Sequence, residues 1–200
     1  MLFTEQIIFK EKVYDVLLRE KDNLLMNFVN DQKPVWNSYF GKASAVYILV
    51  DHKLQAHSFA FNENLIKKEE KLVDLTPVYD EETKQYRYDD LQIPIDYTGG
   101  IVVGRHFIDE YGYEEEYPCF SYRDVYELVF ERGKLVTSID HSRSMNRIRL
   151  NIDKGLRDID HKKDIRCINR FMKKVLYKNY KTNSTKRNIK KKIYKVFGAN

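Results

Sequence analysis

The apolar residues of this chain change period twice, and that restricts the fold more than any count of residue types. From about residue 35 to residue 139 they tend to alternate with polar ones, the spacing of half-buried strands. After His141 they recur every three or four positions, the spacing of one helical face. Residues 35–40, 43–50, 54–61, 85–88, 91–95, 101–108, 125–131 and 135–139 read as strands. Arg132-Gly133-Lys134 turns the last two into a hairpin. Regularly alternating helices are missing from this stretch, so an antiparallel arrangement is expected.

Residues 4–30 read as a long helix. Thr4 is placed to cap it, Ile8, Val13, Leu17, Leu24 and Phe28 mark its apolar side, and Pro34 lies past its end. A short helix after Asn62 is expected to run to about residue 73. Beyond His141 the residues Met145, Ile148, Ile152, Leu156 and Ile159 form one stripe that continues through Gly155, which predicts an unbroken helix. Further helices are predicted over 164–179 and from about 186. If Gly155 did break the first of them, the halves would resemble a helix-turn-helix. The expected fold class is α+β: an N-terminal helix on a mainly antiparallel sheet or small barrel, followed by basic C-terminal helices. The expected domains are an acidic 1–140 and a basic 141–200.

Charge supplies the functional clue. Lys and Arg exceed Asp and Glu by five overall, but residues 1–140 carry a net charge of −10 and residues 141–200 a net of +15. Such asymmetry marks a chain that meets polyanions, or one whose acidic and basic parts meet each other. Opposite the apolar stripes lie Arg143, Arg147, Lys154, Arg157, Arg166, Arg170, Lys173, Lys174, Arg187, Lys191 and Lys195, with Tyr177, Tyr180 and Tyr194 interleaved. Cations of this kind displace counterions from phosphates, and tyrosine rings stack on unpaired bases. A second candidate surface is the loop at 109–117, five carboxylates in nine residues. There Glu114, Glu115 and Glu116 with Tyr113 and Tyr117 offer a protein partner an imitation of nucleic acid.

Catalytic and metal signatures are sparse. Gly99, Gly100 and Gly104 have phosphate-loop spacing, but no Lys-Ser/Thr pair and no helix follow. His106 with Asp109, Glu110 and His57 is the best metal-ligand candidate. A nuclease version would add Asp89, Asp90 and Asp96, but no expected strand carries the Glu-x-Lys spacing that would lend it weight. Ser138, Asp140, His141 and Ser142 have the residue types of a hydrolytic triad but are adjacent, whereas a triad converges from separate elements. Cys119 and Cys167 are widely spaced, which argues against a disulfide framework or zinc ribbon; Cys167 reads as a small core filler.

The function expected from these features is a non-enzymatic accessory protein that binds nucleic acid or a nucleoprotein through residues 143–195, with no cofactor and no membrane span. The alternatives are a metal-dependent enzyme around His106 and a protein-interaction module using the acidic loop. Phe, Tyr, Met, Ile, Asn and Lys make up 82 of 200 residues. Their AT-rich codons suit a phage or mobile element, in roles such as replication control or inhibition of a host defence. The opening Met1-Leu2-Phe3-Thr4-Glu5 lacks the basic and apolar regions of a signal peptide, so a cytoplasmic location is expected.

Overall fold

The computed structural model describes residues 5–20, 24, 43–62, 75–112, 118–155 and 161–180. Strands dominate them: β1 (Glu5–Phe9), β2 (Lys12–Arg19), β3 (Ala43–Val50), β4 (Lys53–Asn62), β5 (Val78–Asp80), β6 (Gln85–Tyr88), β7 (Ile93–Pro94), β8 (Gly99–Phe107), β9 (Tyr122–Glu131) and β10 (Lys134–Asp140). Two α-helices follow, α1 (Ser142–Asp153) and α2 (His161–Val175).

The chain divides into two compact units. The first comprises Met1–Val16, Asp22–Thr98 and Val129–Thr137. The second comprises Leu17–Lys21, Gly99–Leu128 and Ser138–Asn200.

In the first unit β1 pairs with β2 antiparallel and with β3 parallel. β3 and β4 form a hairpin with a register shift between Val46 and Tyr47. β6 and β7 add antiparallel to β4, β5 adds to β6, and Lys134 at the start of β10 pairs with Lys53. Alternation buries Ile7 and Phe9 of β1, Ala45 and Tyr47 of β3, and Leu54, Ala56, Phe59 and Phe61 of β4. Phe61 sits edge-on between Phe59 and Tyr88, with ring centroids 6.3 and 6.2 Å away, an arrangement that suits the ring quadrupoles.

In the second unit the strand order is β10-β9-β8-β2. The core joins Val102, Tyr122 and Val125 to Phe120 and Cys119. Met145 and Ile148 of α1 and Leu176 and Tyr180 beyond α2 complete it. Gly100 and Gly104 serve packing here. A Cβ on Gly100 would collide with the Tyr180 hydroxyl, and one on Gly104 would lie 2.6 Å from the Tyr122 ring. These glycines of the phosphate-loop spacing therefore occupy a buried strand.

The expected fold class needs correction. Among the described residues no N-terminal helix forms, because Glu5–Arg19 is the β1–β2 hairpin. Its apolar residues fit both periods, and pairing with β3 favours the extended form. Strand is the commonest structure among the described residues, and in place of a series of basic C-terminal helices they contain two helices after the sheet. The unbroken stripe through Gly155 also fails: α1 ends at Asp153 and Gly155 takes φ +61°, a conformation open to glycine that terminates a helix. The strands expected at 43–50, 54–61, 85–88, 101–108, 125–131 and 135–139 do form, whereas 91–95 shrinks to the two residues of β7. The predicted strand at 35–40, the helix after Asn62 and the helix from 186 lie outside the described residues. No described helix is long and apolar enough to cross a membrane.

Candidate functional site

Two features of the second unit stand out chemically: a buried carboxylate and a set of exposed cations. Glu127 lies on β9 between Val125 and Val129, so strand alternation puts it on their inward face. Its side chain is fully buried. An isolated carboxylate there would be very unfavourable, and four donors compensate it. His141 Nε2 lies 2.8 Å from Oε2, and the main-chain N–H of Tyr177 donates to the same oxygen at 2.8 Å. The N–H of Lys178 and the hydroxyl of Tyr180 donate to Oε1 at 2.9 and 3.0 Å. Burial alone would raise the Glu127 carboxyl, but the bonds from His141, Tyr177, Lys178 and Tyr180 outweigh it and hold the group below its ordinary value.

The junction that presents His141 is equally pinned. Its N–H donates to the Val125 carbonyl, and Val125 N–H donates to Ser142 Oγ. Asp140 Oδ1 accepts from Ser142 N–H at 2.8 Å. The triad residue types therefore form no relay: Ser142 bonds to Asp140 through its N–H, and His141 is turned to Glu127 instead. Ser142 accepts from the backbone, His141 faces Glu127, and Ser138 is exposed.

A second buried charge, Arg149, comes from the inner face of α1, four residues after Met145. Its Nη1 donates to the carbonyls of Phe120 and Tyr122, both at 2.7 Å, and its guanidinium lies 6.0 Å from the Tyr111 ring centroid. Burial lowers its pKa. Tyr111 in turn donates its hydroxyl to Asp153 at 2.7 Å, a bond that raises the Tyr111 pKa. These contacts fix α1 and spend both buried charges on structure.

The outer surface differs. Arg143, Arg147 and Lys154 on or beside α1, and Arg166, Arg170, Lys173 and Lys174 on α2, are all exposed. None of the seven forms a salt bridge among the described residues. Tyr177 is 67% exposed, whereas Tyr180, also singled out from the sequence, is buried on Glu127. Arg157, Arg187, Lys191, Lys195 and Tyr194 lie outside the described residues, as do Tyr113, Glu114, Glu115, Glu116 and Tyr117 of the acidic loop.

The metal-ligand candidate does not assemble. His106 Nδ1 pairs with Asp124 Oδ2 at 2.9 Å, a partner the sequence did not suggest. His57, Asp89, Asp90 and Asp96 belong to the first unit and His106 to the second. Among the described residues no group of three or more His, Cys, Asp or Glu side chains is placed to hold a metal ion. Cys167, expected as a small core filler, does not serve as one. Cys167 is exposed, while Cys119 is buried and burial pushes its thiol up to about 12.

Sequence reading missed Glu127 and Arg149. The usable signal was position: each is a charged residue on an otherwise apolar face, which requires a buried partner. Comparison of the chain with protein-family models, curated proteins and solved structures finds no match.

Proposed function

We propose that this protein binds nucleic acid through the exposed cations of its second unit. The observation that supports this reading is the absence of ion-pair partners, among the described residues, for Arg143, Arg147, Lys154, Arg166, Arg170, Lys173 and Lys174. Seven cations without an ion-pair partner among the described residues repel one another on one compact unit, and a polyanion relieves that repulsion while releasing its own counterions. The arginines add planar donors that match phosphate oxygens in pairs.

The test is fluorescence anisotropy with labelled nucleic acid over a salt series. Affinity is expected to fall linearly on a log–log plot, by a slope of about 0.7–0.9 for each phosphate neutralised. Charge reversal of Arg166, Arg170, Lys173 and Lys174 to Glu is expected to weaken binding and flatten that slope without altering the circular dichroism spectrum. Absent binding at about 50 mM salt, or binding indifferent to salt, overturns the proposal.

A further inference from the structure

We infer that Tyr177 is a stacking platform for an unpaired base, so that the nucleic acid preferred by this surface is single-stranded. The inference rests on the cationic reading above and sharpens it.

Tyr177 combines an exposed ring with a fixed backbone. Its ring is among the most exposed large apolar groups described, at 67%. Its own N–H and that of Lys178 are held on the two oxygens of the buried Glu127 carboxylate, at 2.8 and 2.9 Å. On either side the chain is sunk into the core: Leu176 is buried and hydrogen-bonded to the Met172 carbonyl, and Tyr180 is buried with its hydroxyl on Glu127. The Lys178 stem runs close to Gly100, where an added Cβ would come within 3.0 Å of its Cγ. A ring on a segment anchored this way loses less conformational freedom on binding than one on a free loop.

Its surroundings are cationic. Lys173 and Lys174 occupy the last turn of α2, both exposed, and the Lys178 ammonium lies 5.8 Å from the Tyr177 ring centroid. An aromatic face beside lysines is the arrangement that holds a base by stacking and its phosphates by charge. A duplex keeps its base faces inside the helix, where a side chain at the surface cannot lie against them; a single strand turns them outward. The ring therefore adds affinity for single strands alone, while the lysines serve either form.

The experiment compares labelled oligothymidylate with a duplex at about 50 mM salt, using wild type, Tyr177→Ala and Tyr177→Trp. Wild type is expected to prefer the single strand. Tyr177→Ala is expected to lose about tenfold on the single strand and to leave duplex affinity and the salt slope unchanged. Tyr177→Trp should keep or strengthen single-strand binding. The Ala variant retains the main-chain N–H on Glu127, and an unchanged melting temperature verifies that the anchor is intact. If the Ala variant matches wild type on the single strand, or loses both ligands equally, the stacking role is overturned while the polyanion reading stands. If wild type binds neither ligand, both fall together.

Discussion

The two units use the same apolar materials and differ in the charge they enclose. In the first, Tyr47, Phe59, Leu54, Tyr88 and Tyr97 are buried, and the one buried polar side chain among the described residues is the neutral Gln85. In the second, Glu127, His141 and Arg149 are buried beside Val102, Val125 and Met145. Apolar packing tolerates small changes of shape and is indifferent to protons. A buried carboxylate is directional and depends on every donor around it. The first unit should therefore respond to lost volume, and the second to lost hydrogen bonds.

The strongest way to break this contrast is Glu127→Ala, which orphans His141, the Tyr180 hydroxyl and two main-chain N–H groups. Removing one side of such a buried cluster is expected to cost about 4 kcal/mol. Hydrogen exchange should locate the loss at the Tyr177 and Lys178 amides and leave β3 and β4 protected. Faster exchange throughout would show that the anchor is not local. In the first unit Leu54→Ala should cost about 3 kcal/mol in urea denaturation, because it removes a side chain that is 1% exposed and leaves a cavity. A cost under about 1 kcal/mol would mean the sheet collapses into the space.

Acid should separate the units with a smaller effect. The Glu127 carboxyl is held below its ordinary value near 4.5, so its contribution is fully present above that pH and is lost as pH falls through the lower value of the folded state. Asp140 acts in the same sense: its carboxyl is raised by burial, but the Ser142 hydroxyl and N–H and the Tyr126 hydroxyl lower it further. Protection at the Tyr177 and Lys178 amides is expected to fall before that of β4 as pH drops below 4.5. Simultaneous loss would contradict the assignment.

The smallest effect concerns the turns. Three hairpins close with two-residue loops in which both residues have positive φ: Lys10-Glu11, Asp51-His52 and Arg132-Gly133. Only the last contains glycine, and the others hold side chains in a conformation that costs each of them about 1 kcal/mol. Replacing Lys10-Glu11 by Asn-Gly should stabilise the protein by about 1 kcal/mol, read as a higher melting temperature. A fall instead would mean that Lys10, whose ammonium lies 5.0 Å from the Phe9 ring centroid, contributes more than the turn strain removes.

Those turns also explain what could be read from the chain. The hairpin of β9 and β10 was legible because Arg132-Gly133-Lys134 punctuates two alternating runs. The β1–β2 hairpin was not, because Lys10-Glu11 are helix-forming residues in a turn that usually takes Asn or Gly, and nothing between Ile7 and Leu18 signals a reversal. On α1 the inward placement of Met145 and Ile148 followed from their spacing. Arg149 falls on the same side and was missed, because its partners are carbonyls of Phe120 and Tyr122 that no pattern in the sequence reveals. The exposed cations on the other side were legible for the converse reason: exposure requires no partner.

The Glu127 carboxylate has a further consequence for how the protein comes into being. Its nearest donor in sequence, His141, is synthesised 14 residues later, and the other three follow 50, 51 and 53 residues after it. While the chain is growing, β9 therefore carries a charge that water must hold until residue 180 has left the ribosome. Completion of this unit is tied to the end of translation of that stretch, a delay during which its apolar neighbours stay open to chaperones.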